Sequence, residues 1–203
     1  MKKYAVLHEP GDIVTLAGTR FVVLDVERRG SLPDSLFLLA LESVGASEFG
    51  SSNNYAESDL KKAVDKWLED MGKRGLDNAK LIPREIDLTT LDGSGCYGKL
   101  SVKAAPLTLD EARKYADIIP NAERWCWLAT GWSGPSKSDG DLALNVSSNG
   151  DWVSSYCSNS GGVRPALKIP SDLLLDSADK PDLSEVPTDT LLEEIRRRVV
   201  DKA

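Results

Sequence analysis

The sequence predicts an α+β fold with two helices and mainly antiparallel strands, plus a C-terminal helix. Three observations carry this. Short β-branched runs bounded by turn residues recur along the chain. One segment, 58–71, has a clean helical stripe. A region rich in tryptophan, serine, glycine and asparagine after Arg124 alternates like a hairpin.

The strands come first. Residues 12–16 and 20–26 are two β-branched runs joined by Ala17-Gly18-Thr19, which reads as a hairpin. Leu36 to Leu41 is a third apolar run, short enough for a buried strand. In the first helix Leu60, Ala63, Val64, Trp67, Leu68 and Met71 share one face, so Trp67 belongs to the core. Ser58 caps that helix through its hydroxyl, and Gly72 ends it by tolerating the left-handed conformation. A second helix over 109–118 starts at Thr108, with Glu111 at capping-box spacing, and stops before Pro120. Ile86–Leu88 forms a short strand, and Asp92-Gly93-Ser94-Gly95 a turn.

Four of the five tryptophans, at 125, 127, 132 and 152, follow Arg124. Residues 125–129 read as a buried strand, and 142–146 as the next strand. Ser147-Ser148-Asn149-Gly150 turns the chain back along 151–157. The stretch Gly161 to Ile169 closes the domain, with Pro165 placing that strand at an edge or at its own beginning. Residues 1–169 thus form one domain. Residues 170–187, with three prolines, read as a linker. Residues 188–203 form an amphipathic helix with Leu191, Leu192, Ile195 and Val199 on one face. A helix of that length needs a partner surface, so it either returns to the domain or pairs with another copy.

Composition excludes several function classes. With 203 residues, 41% hydrophobic and 28% charged, the chain can bury a globular core. A net charge of −7 and the lack of a basic stripe argue against nucleic acid. No apolar run reaches the length of a membrane span, and the N-terminus does not read as a signal peptide, so synthesis in the cytoplasm is expected. The single histidine, His8, reads as a surface residue and leaves no histidine triad or multi-histidine metal site. Cys96, Cys126 and Cys157 are odd in number and lack zinc-site spacing, so they read as buried free thiols. No cofactor or metal is expected. Asp139, Asp141 and Asn145 carry oxygens that suit calcium, but Ser-Asp-Gly-Asp is also an ordinary turn.

The remaining chemistry lies in the aromatic hairpin. If Leu142, Leu144 and Val146 point inward, Asn145 points outward. If Val153 points inward, Trp152, Ser154, Tyr156 and Ser158 occupy the other face. Trp132 and Ser133 lie in a Gly/Ser/Pro loop, and Asn159 follows the return strand. Aromatic rings interleaved with small polar groups suit recognition of a protein or glycan surface. The expected ligand-binding residues are therefore Trp132, Ser133, Asn145, Trp152, Ser154, Tyr156, Ser158 and Asn159. At least one of Trp125 and Trp127 is expected in the core.

Several phrases occur in order: Ile86–Gly93, Leu107–Tyr115, Trp127–Thr130, Asn145–Gly150 and Gly162-Val163-Arg164-Pro165-Ala166-Leu167. Together they resemble a family of domains common in prophages and gut bacteria, similar to the formylglycine-generating-enzyme branch of the C-type-lectin-like fold. The resemblance covers roughly residues 10–169 and implies a C-type-lectin-like domain that recognises a ligand rather than an enzyme. It also points to the variable proteins of diversity-generating retroelements, whose variable positions favour residues such as Ser154, Ser155, Tyr156, Ser158 and Asn159. A virion-associated or structural phage component, with the C-terminal helix as assembly element, is the alternative. An oxidase-like activity using Cys126 and Cys157 with copper is the reading of lowest weight.

Overall fold

The computed structural model of the chain describes residues 2–4, 8–29 and 32–177. The predicted C-terminal helix, 188–203, and the linker beyond Ser177 lie outside the described residues. In chain order the elements are β1 (Lys2–Tyr4), β2 (Ile13–Leu16), β3 (Thr19–Arg29), β4 (Leu32–Ala40), β5 (Ala46–Glu48) and a 3₁₀ turn (Tyr55–Glu57). Then come α1 (Asp59–Lys73), β6 (Arg84–Asp87), β7 (Lys99–Val102), β8 (Ala104–Ala105) and α2 (Leu109–Lys114). The chain continues with β9 (Cys126–Gly131), β10 (Leu142–Val146), β11 (Trp152–Tyr156), β12 (Ser160–Gly162), β13 (Ala166–Pro170) and β14 (Leu174–Ser177).

The fold is mixed α+β, with mostly antiparallel sheets and two helices. A seven-stranded sheet runs β1-β14-β2-β3-β4-β13-β8, a five-stranded sheet β11-β10-β9-β12-β5, and β6 pairs with β7. Of the described pairings only β12 with β9 is parallel. The β2–β3 hairpin turns on Ala17 (φ +47°) and Gly18 (φ +77°), and two positive-φ residues are what a two-residue hairpin of this twist demands. β14 falls in the segment expected to be a linker. It pairs with β1 and β2, so the folded unit extends past residue 169 to Ser177.

Both helices start where predicted. Ser58 accepts from the Lys61 N–H, and Thr108 and Glu111 form a reciprocal capping box. Their ends differ. α1 runs through Gly72 to Lys73, and Gly75 (φ +101°) takes the left-handed position. Gly72 instead admits Asn78, whose amide would lie 3.0 Å from an added Cβ and which bonds the Leu68 carbonyl. α2 ends at Lys114 and residues 115–118 continue as turns.

Alternate residues of the central strands feed two apolar clusters. Phe21, Val23, Leu36 and Leu38 join Trp67, Trp127 and Ala143 in one. Val22, Leu24, Phe37 and Leu39 join Leu109, Leu128 and Leu144 in the other. The sheets are therefore covered on both faces at their centres. Trp67 is in the core as its helical position requires. His8, expected on the surface, is buried with its Nδ1 3.2 Å from the Asp12 carboxylate. That short polar segment packs under the β3 backbone, where Val23 bonds Gly11 and Asp12.

Candidate functional site

The tryptophan-rich region folds as the consecutive strands β9, β10 and β11. Their register aligns Cys126, Val146 and Trp152 in one row across the sheet, with Leu144 opposite Ser154 and Leu142 opposite Tyr156. Directly paired residues share a face. Trp152, Ser154 and Tyr156 therefore continue the leucine face of β10 outward, while Val153 pairs with Asn145 on the reverse face. This inverts the expected arrangement, in which Val153 pointed inward and Asn145 outward.

The predicted site residues separate accordingly. Trp152 is 44% exposed and Tyr156 59% exposed, with Ser158 and Asn159 exposed in the following turn and Ser154 half-buried. These five lie together at the sheet edge. Asn145 is 1% exposed, and its amide donates to the Ser155 hydroxyl at 3.0 Å. Ser133 is 2% exposed, and Trp132 is half-buried against the second cluster. Asn145 and Ser133 are thus internal and closed to a partner. The alternation argument assumed one solvated face, but β10 is flanked by strands on both sides and covered on both faces. Trp127 is buried and Trp125 half-buried, their rings in edge contact at 4.8 Å.

The loop that carries Trp132 and Ser133 is anchored by Asn53, which sequence reasoning passed over. The Asn53 amide donates to the carbonyls of Ser133 (2.9 Å) and Leu142 (3.0 Å) and accepts from the Tyr97 hydroxyl at 2.6 Å. Gly131 allows this approach, since a Cβ there would sit 2.8 Å from Asn53 Cγ. Asn145, one candidate calcium donor, lies four residues along the strand from Asp141, about 13 Å at ~3.3 Å per residue. The three oxygens are therefore not gathered. Among the described residues no group of three His, Cys, Asp or Glu side chains is placed to hold a metal.

Beside β11 lies a cavity of about 130 Å³, walled by the Cys126–Val146–Trp152 row and by Ala112 and Ala116. A smaller space of about 30 Å³ continues inward past Leu128. Arg164 lines both. Only 7% exposed, it donates to the backbone carbonyls of Ala40 and Leu41 at 2.8 and 3.0 Å. Burial draws its pKa below the ordinary guanidinium value, but an arginine in a protein keeps its charge. Arg113 places its guanidinium 5.5 Å from the Trp152 ring centroid and pairs with Asp110 at 3.4 Å. Neither arginine was anticipated as a site residue. The signal available was a charged residue inside the apolar run Val163–Ile169, where an unpaired charge is rare.

Cys126 and Cys157 are buried, as expected, but Cys96 is exposed. Cys126 pairs at Val146, whereas Cys157 bonds at Asp141, five residues away along β10 and so about 16 Å at ~3.3 Å per residue. The two thiols are not placed as a pair. Burial pushes Cys126 up to about 11 and Cys157 up to about 12. A raised pKa favours the neutral thiol in the folded state. Its contribution to stability is complete below the ordinary value of 9.0 and is lost as pH rises through 11 to 12. At pH 8 a disulfide reagent such as Ellman's should therefore titrate one thiol rapidly in the native protein, Cys96, and all three in guanidinium. Three fast thiols in the native protein would contradict this burial.

No family model, curated protein or solved structure matches the chain.

Proposed function

We propose that the chain is a recognition module without catalytic chemistry, which binds a partner protein by adding an extended segment of that partner to β11. The observation that carries this is the character of β11 as an edge. It borders the five-stranded sheet and carries Trp152, Val153 and Tyr156, three of the four exposed large hydrophobic residues among those described. An exposed apolar edge strand is a template for pairing with another chain.

The backbone supports the same reading. The Cys157 N–H donates to the Asp141 carbonyl, and the Asp151 carbonyl accepts from the Ser147 N–H. N–H and C=O directions alternate along an antiparallel strand, so residues 151, 153, 155 and 157 face β10. Trp152, Ser154 and Tyr156 then turn their N–H groups outward. Polar Ser158 and Asn159 extend the surface in the adjoining turn. A C-type-lectin-like fold, and display of variable residues at 154–159, belong to this proposal. They rest on the resemblance of the closing Gly162–Leu167 phrase and on the exposure of Tyr156, Ser158 and Asn159.

Ser154→Pro is the discriminating variant. It removes an outward N–H without breaking the ladder to β10, a position where an edge strand tolerates proline. A random dodecapeptide library panned on the full chain should enrich extended apolar sequences. Their binding should fall at least tenfold in Ser154→Pro and in Tyr156→Ala, with melting temperature within about 3 °C of the parent. Binding confined to a glycan panel, lost in Trp152→Ala and kept in Ser154→Pro, would replace strand addition with sugar stacking. Binding unaffected by all three variants would overturn the site.

A further inference from the structure

We infer that the cavity beside β11 is a binding site for a small aromatic carboxylate, with Arg164 as the anion receptor. It shares Trp152 with the strand-addition surface but does not depend on that reading.

The chemistry of the lining points to this class. The cavity's twelve lining residues include no aspartate or glutamate, although the chain carries a net charge of −7. Its one ionic side chain is Arg164, buried to 7% exposure. The Nε and Nη2 groups of Arg164 are engaged by the Ala40 and Leu41 carbonyls, and among the described residues the Glu42 carboxylate acts on it only from beyond ion-pair distance. Its Nη1 makes no hydrogen bond among the described residues, yet it is not among the fully enclosed unpartnered atoms. The same residue lines both the outer cavity and its inner extension. A buried cation whose hydrogen bonds go only to carbonyls and whose nearest carboxylate is not paired with it is incompletely compensated, and a bound carboxylate offers it charge-assisted bonds.

Size and apolarity set the rest of the ligand. A cavity of about 150 Å³ holds one benzene ring, and this one measures about 130 Å³ with about 30 Å³ behind it. Ile119, Val146 and Trp152 supply apolar walls for such a ring. Arg113 stacks its guanidinium over the wall residue Trp152 and holds Asp110 at 3.4 Å, so it braces that wall rather than serving as an anion receptor. A dianionic phosphate or a long peptide matches neither the volume nor the apolar walls.

Benzoate and its neutral analogue benzamide, titrated calorimetrically into the full chain at pH 7, test the inference. Benzoate should bind at one site per chain and benzamide at least tenfold more weakly, the difference expected between a charged and a neutral hydrogen-bond acceptor. Ala116→Trp, at an exposed position on the cavity wall, should abolish benzoate binding and leave the melting temperature and the peptide binding of β11 intact. Arg164→Lys should weaken benzoate at least tenfold if it folds. Because it also loses the bonds to Ala40 and Leu41, Ala116→Trp remains the deciding variant. No benzoate binding, equal binding of benzamide, or benzoate binding unchanged in Ala116→Trp would each overturn the inference. Ser154→Pro should leave benzoate binding unchanged, which separates this site from the strand-addition surface.

Discussion

Trp127→Ala should lower the stability of the fold by about 3–5 kcal/mol, the range for deleting a fully buried aromatic side chain. Trp127 is 1% exposed on β9, between the two edge contacts of its ring with Phe49 at 5.4 Å and Trp125 at 4.8 Å. Its Nε1 donates to the Ser47 carbonyl at 3.0 Å, which ties β9 to β5 across β12. The strand between them can lie so close because two of its three residues, Gly161 and Gly162, are glycine. A Cβ on Gly161 would sit 2.2 Å from the Trp125 ring and 2.6 Å from the Trp127 nitrogen. The indole is therefore fixed on every side, and its removal leaves a void that the neighbours cannot collapse into. Since a domain is stable by roughly 5–15 kcal/mol in total, the variant should unfold at a clearly lower urea midpoint with unchanged slope. Trp127→Phe should retain most of the ring packing and lose about 1–2 kcal/mol, chiefly through the missing donor. A shift below about 1 kcal/mol for Trp127→Ala would show that the centre of the five-stranded sheet is not packed as described.

The second large effect is expected at Arg84. Its guanidinium is 4% exposed, pairs with the Glu111 carboxylate, and donates to the carbonyls of Ala105 (2.9 Å) and Pro106 (3.1 Å). It also lies 5.1 Å from the Phe37 ring centroid. Glu111 is at the same time the acidic half of the α2 capping box, bonding the Thr108 N–H. Arg84→Ala leaves Glu111 without its cation and two buried carbonyls without donors. Breaking a buried pair from one side destabilises by about 3–5 kcal/mol. Arg84→Lys keeps the charge but not the planar fork, so an intermediate loss is expected. A double-mutant cycle of Arg84→Ala with Glu111→Ala should return a coupling above about 1 kcal/mol, because the two groups share one network. Additive losses would mean that the two side chains act separately. The consequence reaches the candidate sites as well. α2 carries Ala112 and Arg113, so a loosened helix N-terminus should open the cavity beside Trp152.

Local chemistry in the sequence determined much of this protein. Ser58 and Thr108 mark helix starts because side-chain oxygens satisfy free N–H groups wherever they occur. Ala17-Gly18 marks a hairpin because a two-residue turn needs positive φ. The stripe through Trp67 marks a core face because helical spacing alone sets it. The β10–β11 hairpin and its exposed Trp152 and Tyr156 were readable for the same reason: strand, turn and strand are adjacent in the chain.

What the tertiary structure alone decided depends on partners distant in sequence. Asn145 and Ser133 are polar and sit in a polar-looking stretch, yet they are internal, because β9 pairs along β10 and Asn53, 80 residues away, holds the Ser133 carbonyl. Gly72 and Gly75 are equivalent as stop signals, and the approach of Asn78 decides between them. The segment beyond Pro170 looks like a linker until β1 and β2 offer it an open edge at β14. Arg164 gains its character from a cavity whose walls come from three strands and a helix. Burial and pairing are properties of the packed molecule, and a pattern read one segment at a time registers only the faces a segment has, not what covers them.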